Sequence, residues 1–191
     1  MDIGGPVREL DVIESAPPLI GAVLQLPEER WWDDESRQVN YHVHSETMSL
    51  VLLFCDGEWP DIQVQKEAAW DSLARCAVPV MREILDKHYP RGGIILRAMA
   101  AKLPPHCSIQ GHVDRHPSFV CSHRIHVPLS TNPDVIFHVA GQQITMDVGK
   151  GYEINNQSVH SVFNGGKLDR IHFIFDYVPP QHVERLPLGK G

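Results

Sequence analysis

Two histidines and one aspartate in the C-terminal half of the chain have the spacing of a metal site. His112 and Asp114 are two positions apart, so in an extended segment their side chains point in the same direction. A second imidazole, that of His160, comes from a distant segment. Two imidazoles and one carboxylate on one face of a metal ion are typical of non-haem Fe(II) sites, and they leave the remaining octahedral positions open. The chain has twelve histidines, however, so the His-x-Asp spacing is equally compatible with a surface turn.

An arginine downstream makes the metal interpretation more specific. Arg170 lies ten positions after His160, across the turn signal Asn164-Gly165-Gly166. On a hairpin, this spacing brings the guanidinium into the same barrel, below the metal. Arginine is suited to bidentate pairing with a carboxylate in a partly buried pocket, whereas an unpaired buried arginine is costly. The spacing therefore predicts a dicarboxylate co-substrate whose far end binds Arg170.

Two segments alternate polar and apolar side chains in the same way. Segments 124–129 and 170–176 both begin with Arg-Ile-His. In each, the apolar residues share one face of a strand, while the arginine and the histidine share the other. One interpretation is a half-buried sheet with a solvated polar face, and the other is a small barrel whose polar interior faces a ligand. The repetition in two strands favours the barrel.

Short β-type segments follow one another closely after Gly93, separated by turn signals and without helices between them. This arrangement is typical of an antiparallel barrel or a two-sheet sandwich. The N-terminal part is more mixed. For it we predict short strands at Arg8–Glu14 and Leu19–Leu26, a longer strand at Tyr41–Cys55, and a helix that opens at Pro60-Asp61 and kinks or restarts at Pro79.

The domain prediction follows from this change of character. We expect a mainly β chain that forms a single domain over residues 1–191. Residues 1–93 supply N-terminal strands and supporting helices, residues 94–178 form the barrel core that carries the metal site, and residues 179–191 form a tail.

Composition excludes several classes of protein. Apolar residues make up 42% of the chain, which argues against disorder, and the formal charge is −7, which argues against a nucleic-acid or anionic-membrane surface. Neither a secretory signal nor a membrane-spanning run is expected. The four cysteines lack Cys-x-x-Cys spacing, so we predict reduced thiols and a cytoplasmic location. The oligomeric state is not specified by the sequence.

The motifs taken together resemble the aspartyl/asparaginyl β-hydroxylase family, which includes free-proline hydroxylases. The resemblance covers about residues 94–178, and the N-terminal part matches only loosely. It is carried by Gly111-His112-x-Asp114, Arg124-Ile125-His126-x-Pro128-Leu129, Asn156, His160-Ser161-Val162-x-Asn164 and Arg170-Ile171-His172-x-Ile174-x-Asp176.

The resemblance implies an Fe(II)- and 2-oxoglutarate-dependent dioxygenase on a double-stranded β-helix, the jelly-roll or cupin-like barrel, here with a helical layer from the N-terminal half. By position, His112, Asp114 and His160 match the iron ligands. Arg170 matches the arginine that pairs with the C5 carboxylate of 2-oxoglutarate. Arg124 and His126 match a second pair near the co-substrate. A serine that some members carry on the strand before the first ligand is missing, because alanines (Ala98, Ala100 and Ala101) occupy that stretch.

The implied reaction uses O₂ and 2-oxoglutarate to hydroxylate an unactivated C–H bond, with succinate and CO₂ as co-products. The expected substrate is an amino acid, a small molecule derived from one, or a peptidyl residue, with a slight preference for the small molecule. Arg97 or Arg115 would bind a substrate carboxylate. The alternative is a metal-binding, cupin-like isomerase or binding protein without oxygenase activity.

Overall fold

The chain folds into two antiparallel sheets with helices packed against the larger one. A computed structural model describes residues 1–32 and 45–183. The strands are β1 (Val7–Val12), β2 (Met48–Glu58), β3 (Asp61–Lys66), β4 (Ile94–Leu103), β5 (Ser108–His112), β6 (His123–Ser130), β7 (Val135–Val139), β8 (Gln142–Ile144), β9 (Lys150–Ile154), β10 (His160–Asn164) and β11 (Arg170–Val178). The helices are α1 (Ala16–Leu24), α2 (Trp70–His88), α3 (Ser118–Cys121) and α4 (Pro180–Val183), with a 3-10 helix at Glu28–Trp32.

The larger sheet has seven strands in the order β1-β9-β6-β11-β4-β2-β3, and the smaller has four in the order β5-β10-β7-β8. Consecutive strands from β5 onward alternate between the sheets often enough to wrap them around a shared interior, which is the jelly-roll arrangement. The predicted mainly β, jelly-roll fold is therefore confirmed.

The apolar faces of the two Arg-Ile-His strands pack against the helices. Side chains of β6 and β11 form one buried cluster with side chains of α1 and α2. Burying each large apolar side chain contributes roughly 1.5–3 kcal/mol to folding, so this cluster holds the helical layer on the sheet. The cluster includes Leu19, Val23, Leu73, Val80, Ile84, Ile125, Val127, Leu129, Ile171, Phe173 and Phe175.

The polar faces of the same two strands are also buried, because they line the interior between the sheets. Arg170, His172 and Asp176 of β11 and His126 of β6 are each no more than 5% exposed. A solvated polar face would leave these side chains open to water. The barrel interpretation of the alternating pattern is therefore confirmed, and the half-buried-sheet interpretation is wrong.

The prediction of a strand at Leu19–Leu26 is wrong, because α1 covers most of this segment. Pro17 and Pro18, interpreted as a break, lie in the first turn of the helix, where a missing N–H removes no intrahelical bond. Leu19 and Val23, four positions apart, are then buried together.

The prediction of a helix that opens at Pro60-Asp61 is also wrong. Residues 61–66 form β3, an edge strand that pairs back onto β2 with Cys55 opposite Val64. The alternation of Ile62 and Val64 with polar residues has the period of a strand. The helix begins only at Trp70 and continues as one element through Pro79 to His88. The predicted strand at Tyr41–Cys55 lies partly outside the described residues, and β2 starts at Met48.

Two further observations concern the cysteines and the helices. The four cysteines are free, as predicted. Across residues 1–32 and 45–183, no helix combines the length and the apolar character needed to cross a lipid bilayer.

Candidate metal centre

Strand pairing brings the two predicted histidine ligands together. His160 at the start of β10 lies directly opposite His112 at the end of β5, and their ring centroids are 4.3 Å apart. Asp114 follows two residues after β5, where its backbone N–H donates to the carbonyl of Asn156 at 3.3 Å. One ligand atom from each of these three side chains lies within 4.8 Å of the other two. The predicted group is therefore assembled.

Each imidazole presents the same nitrogen to the centre of the group. The Nδ1 atom of His112 lies 2.8 Å from the carbonyl oxygen of Gln110, and Nδ1 of His160 lies 3.0 Å from that of Ser158. A carbonyl only accepts a hydrogen bond, so Nδ1 is the donor in both rings and Nε2 is the nitrogen left to bind a metal. Burial also lowers the pKa of His160, which favours the neutral form that a metal binds.

The aspartate offers a single oxygen to the same centre. Oδ2 of Asp114 accepts a hydrogen bond from Nη1 of Arg124 at 2.7 Å, while Oδ1 lies 3.8 Å from Nε2 of His112. The group therefore supplies two nitrogens and one oxygen from one side. This ligand set fits an octahedral Fe(II) with open positions, and it contains no thiolate that would favour a closed zinc site.

Arg170 lies in the same barrel as a buried cation. It is 2% exposed, its Nη2 donates to Nδ1 of His172 at 2.8 Å, and its Nε has no hydrogen-bond partner. Within the described parts of the chain, no carboxylate forms an ion pair with it. Burial lowers its pKa to about 9. An anionic ligand at this position would offset the cost of the buried charge.

Arg124 and His126, predicted to lie near the co-substrate, line the same cavity as the metal group and Arg170. His126 is buried, with Nδ1 3.3 Å from Nδ1 of His172. The guanidinium of Arg124 contacts Asp114 and Asp176. Their role toward the co-substrate stays a prediction.

Sequence reasoning missed Thr47 and Ser49. Both lie on the inward face of the sheet near the start of β2 and are buried, and Ser49 is directly opposite Ala101, in the stretch where the expected serine is missing. Thr47 lines the same cavity as Arg170. The alternation of Thr47, Ser49 and Val51 with Met48, Leu50 and Leu52 was a signal that could have found them.

The barrel has a second cavity, of about 340 Å³, which is lined partly by residues of the β6–β7 and β8–β9 connections. Arg170 and Phe137 line this cavity as well as the one at the metal group. Arg170 therefore borders both cavities.

Several other side chains lie in the core, at the surface or next to this group. Trp31 is buried in the main core cluster, 4.5 Å from the Nζ atom of Lys102, while Trp32 is exposed. Arg97 contacts Ser118 and Asp176, and Arg115 is exposed next to Asp114. The acidic run 33–35 and the histidines at 42 and 44 lie outside the described residues.

The family model for aspartyl/asparaginyl β-hydroxylase matches residues 22–180. The chain belongs to this family. The match extends the resemblance into the N-terminal half, where the sequence motifs gave only a loose similarity. Family membership confirms that the chain is an enzyme of the hydroxylase class. A comparison with curated proteins found no match.

Solved structures support the fold. An oxidoreductase of the 2OG-Fe(II) oxygenase family from Burkholderia pseudomallei has a TM-score of 0.61 at 13% identity, over 91% of this chain and 84% of that one. HygX from Streptomyces hygroscopicus, with nickel and 2-oxoglutarate bound, has a TM-score of 0.59 at 11% identity, over 91% and 83%. A viral collagen prolyl hydroxylase from Paramecium Bursaria Chlorella virus-1, in complex with 2OG, has a TM-score of 0.52 at 11% identity, over 92% and 97%.

Proposed function

We propose that this hydroxylase uses Fe(II), 2-oxoglutarate and O₂ to hydroxylate an unactivated C–H bond, with succinate and CO₂ as co-products. The observation that carries the proposal is the convergence of His112, Asp114 and His160 in one barrel. The same barrel buries Arg170, which has no carboxylate partner among the described residues. The fold relatives crystallised with 2-oxoglutarate support the choice of co-substrate.

Different residues of the site bind the metal, bind the co-substrate and exclude water. His112, Asp114 and His160 hold the metal, and Arg170 pairs with the C5 carboxylate of 2-oxoglutarate. When bound, the iron with its co-substrate supplies the oxidising chemistry that hydroxylates carbon. Apolar side chains of the cavity exclude water from the reacting atoms, and they include Ile109, Phe137, Ile154, Val162 and Ile174.

For the substrate we propose an amino acid, a small molecule derived from one, or a peptidyl residue, with the small molecule favoured. A substrate carboxylate needs a cation near the metal. Of the two arginines considered, Arg97 is buried and already contacts Ser118 and Asp176. Arg115 is exposed one position after the ligand Asp114, so it is the better candidate.

The test combines metal loading with turnover. Adding Fe(II) and 2-oxoglutarate without oxygen should give the charge-transfer absorption of the chelate, and admitting air with a library of amino acids should give succinate and a product that has gained one oxygen. Replacing His112, Asp114 or His160 by alanine should abolish both signals. His138→Ala, on β7 of the same sheet, is the control that should keep them.

Two outcomes would contradict the proposal. Metal binding without the absorption band or succinate would favour the cupin-like isomerase or binding protein. Absence of metal binding would indicate an interaction module that keeps only the fold.

A further inference from the structure

Three charged residues form one row across the central strands of the larger sheet. Asp176 of β11 lies directly opposite Arg97 of β4 on one side and Arg124 of β6 on the other. Asp176 is fully buried and Arg97 is 5% exposed. Charged side chains are almost never buried in this way unless they are paired, so the row must be held together by its internal contacts.

The contacts within the row are directional. Nε and Nη2 of Arg124 donate to the two carboxylate oxygens of Asp176 at 2.8 and 3.0 Å, a bidentate fork. Nη1 of Arg97 lies 3.5 Å from one of the same oxygens. The guanidinium is planar, so fixing the Nε–Nη2 edge of Arg124 also fixes the direction of Nη1. That atom donates to Oδ2 of Asp114 at 2.7 Å.

We propose that Asp176 is a positioning residue that acts through Arg124 to fix Asp114 as a ligand with one available oxygen. Oδ2 of Asp114 accepts the hydrogen bond of Arg124, and Oδ1 lies 3.8 Å from Nε2 of His112. A carboxylate that used both oxygens would close a coordination position that the reaction needs open. This inference rests on the proposed function, because it assigns a role toward the metal.

The negative charge of Asp176 also balances the charge of the neighbouring arginines. Arg97 and Arg124 are balanced by Asp114 and Asp176, so this group of four side chains is neutral beside the metal. Both guanidiniums also contact the ring of Phe119, whose centroid is 4.5 Å from Cζ of Arg97 and 4.4 Å from Cζ of Arg124. Without the charge of Asp176, only Asp114 would balance the two guanidiniums, and the remaining positive charge would disfavour a metal cation at Asp114.

The experiment measures the affinity for Co(II) by titration, with its visible absorption as a reporter of geometry, in the absence of 2-oxoglutarate. Asp176→Asn keeps the shape and removes the charge. We expect about a tenfold to hundredfold loss of Co(II) affinity, the usual range for losing a group that orients a ligand, together with a changed spectrum. Arg124→Lys keeps the charge and loses the fork, so it should show the same loss and provides a second variant if Asp176→Asn does not fold.

Glu153→Gln is the matched control. Glu153 is a buried carboxylate on β9 whose partners are Arg8, Tyr89 and His123, so its loss disturbs the core without touching the row. It should lower stability and leave Co(II) affinity unchanged.

The possible results separate the two proposals. Wild-type Co(II) affinity and spectrum in Asp176→Asn would overturn the positioning role alone. An equal loss of affinity in Glu153→Gln would overturn it too, since general destabilisation would then explain the effect. Failure of the wild-type protein to bind Co(II) would overturn the proposed function together with this inference.

Discussion

At the scale of single residues, two buried arginines of the same barrel have opposite surroundings. Burial alone would lower the pKa of Arg124, but the carboxylates of Asp114 and Asp176 raise it above its usual value. Arg170 has no such carboxylate among the described residues, and burial lowers its pKa to about 9. Two carboxylates therefore hold Arg124 in its charged form, whereas no carboxylate among the described residues offsets the buried charge of Arg170.

This difference predicts an unusual response of Arg170 to substitution. A lowered pKa in a base means that folding disfavours its charged form, so below about pH 9 the charge of Arg170 opposes folding. Arg170→Met should therefore not lower the free energy of unfolding of the ligand-free protein, and should raise it slightly. Affinity for 2-oxoglutarate should fall by about tenfold to a hundredfold, because a charge-assisted pair is lost.

Denaturant unfolding and calorimetric titration with 2-oxoglutarate and Mn(II) would measure both effects. Lys102→Met is the control, since Lys102 is equally buried but pairs with Glu28 at 2.7 Å outside the barrel interior. That variant should keep its affinity for 2-oxoglutarate. An Arg170→Met protein that bound 2-oxoglutarate as tightly as the wild type would show that the carboxylate lies elsewhere.

The sequence predicted the site residues whose chemistry depends on residue type and strand alternation. His112 and Asp114 share a direction because they are two positions apart in an extended segment, and Arg170 points inward because its strand alternates. The contact between Arg124 and Asp114 depends instead on the path of the chain between β5 and β6. A periodic pattern of polar and apolar residues does not predict that path. Thr47 is placed at the site by the pairing of the adjacent strand β2 with β4, and this pairing joins distant segments of the chain.

At the scale of elements, the C-terminal strands could be predicted because turn residues and period-2 alternation agree with each other. In the N-terminal part, the strand predicted at Arg8–Glu14 corresponds to β1. The helices there could not be placed, because a proline can either interrupt a helix or lie in its first turn. Pro17 and Pro18 look like a break, yet they lie in a first helical turn. Pro79 does not restart the helix: α2 continues through it, because packing of Leu73, Val80 and Ile84 in the core outweighs one missing hydrogen bond.

The start of α1 gives a pH-dependent prediction. The helix has no side-chain cap of its own and no acidic residue in its first turn, and Glu83 of α2 serves instead. Its carboxylate accepts from the backbone N–H groups of Glu14 and Ser15 and from the hydroxyl of Ser15, at 2.7 to 3.1 Å. Burial would raise the pKa of Glu83, but these donors and Lys87 hold it at about 2. Glu83→Gln should cost roughly 1 kcal/mol of stability at neutral pH.

The sign of the pH effect follows from the lowered pKa. A carboxyl whose pKa is lower in the folded chain stabilises it above the usual pKa of 4.5, and that contribution is lost as the pH falls toward about 2. The difference in unfolding free energy between wild type and Glu83→Gln should therefore shrink over this interval. Asp86→Asn, in an exposed ion pair on the same helix, should show almost no difference at any pH. If the difference in unfolding free energy between wild type and Glu83→Gln did not change with pH, the capping role would be contradicted.

At the scale of the whole molecule, the site is divided between the two sheets. His112 and His160 belong to the four-stranded sheet, whereas Arg170 begins β11 in the seven-stranded sheet. A molecule bound to both the metal and Arg170 would link the sheets across the barrel interior. Neither sheet carries both the metal ligands and Arg170, so such a link requires both sheets.

This division predicts different protection by metal and by co-substrate in hydrogen-exchange mass spectrometry. Mn(II) alone should slow amide exchange in β5 and β10, because the proposed ligands His112 and His160 lie there. Adding 2-oxoglutarate should extend the protection to β11, by up to about a hundredfold at ligand concentrations near a hundred times Kd for amides that exchange only from the unbound form. In Arg170→Met, Mn(II) should still protect β5 and β10, but 2-oxoglutarate should no longer protect β11. Without the guanidinium, the co-substrate contacts only the sheet that carries the metal. Protection of β11 by Mn(II) alone would mean that the metal already couples the two sheets. The proposal that 2-oxoglutarate links them would then be wrong.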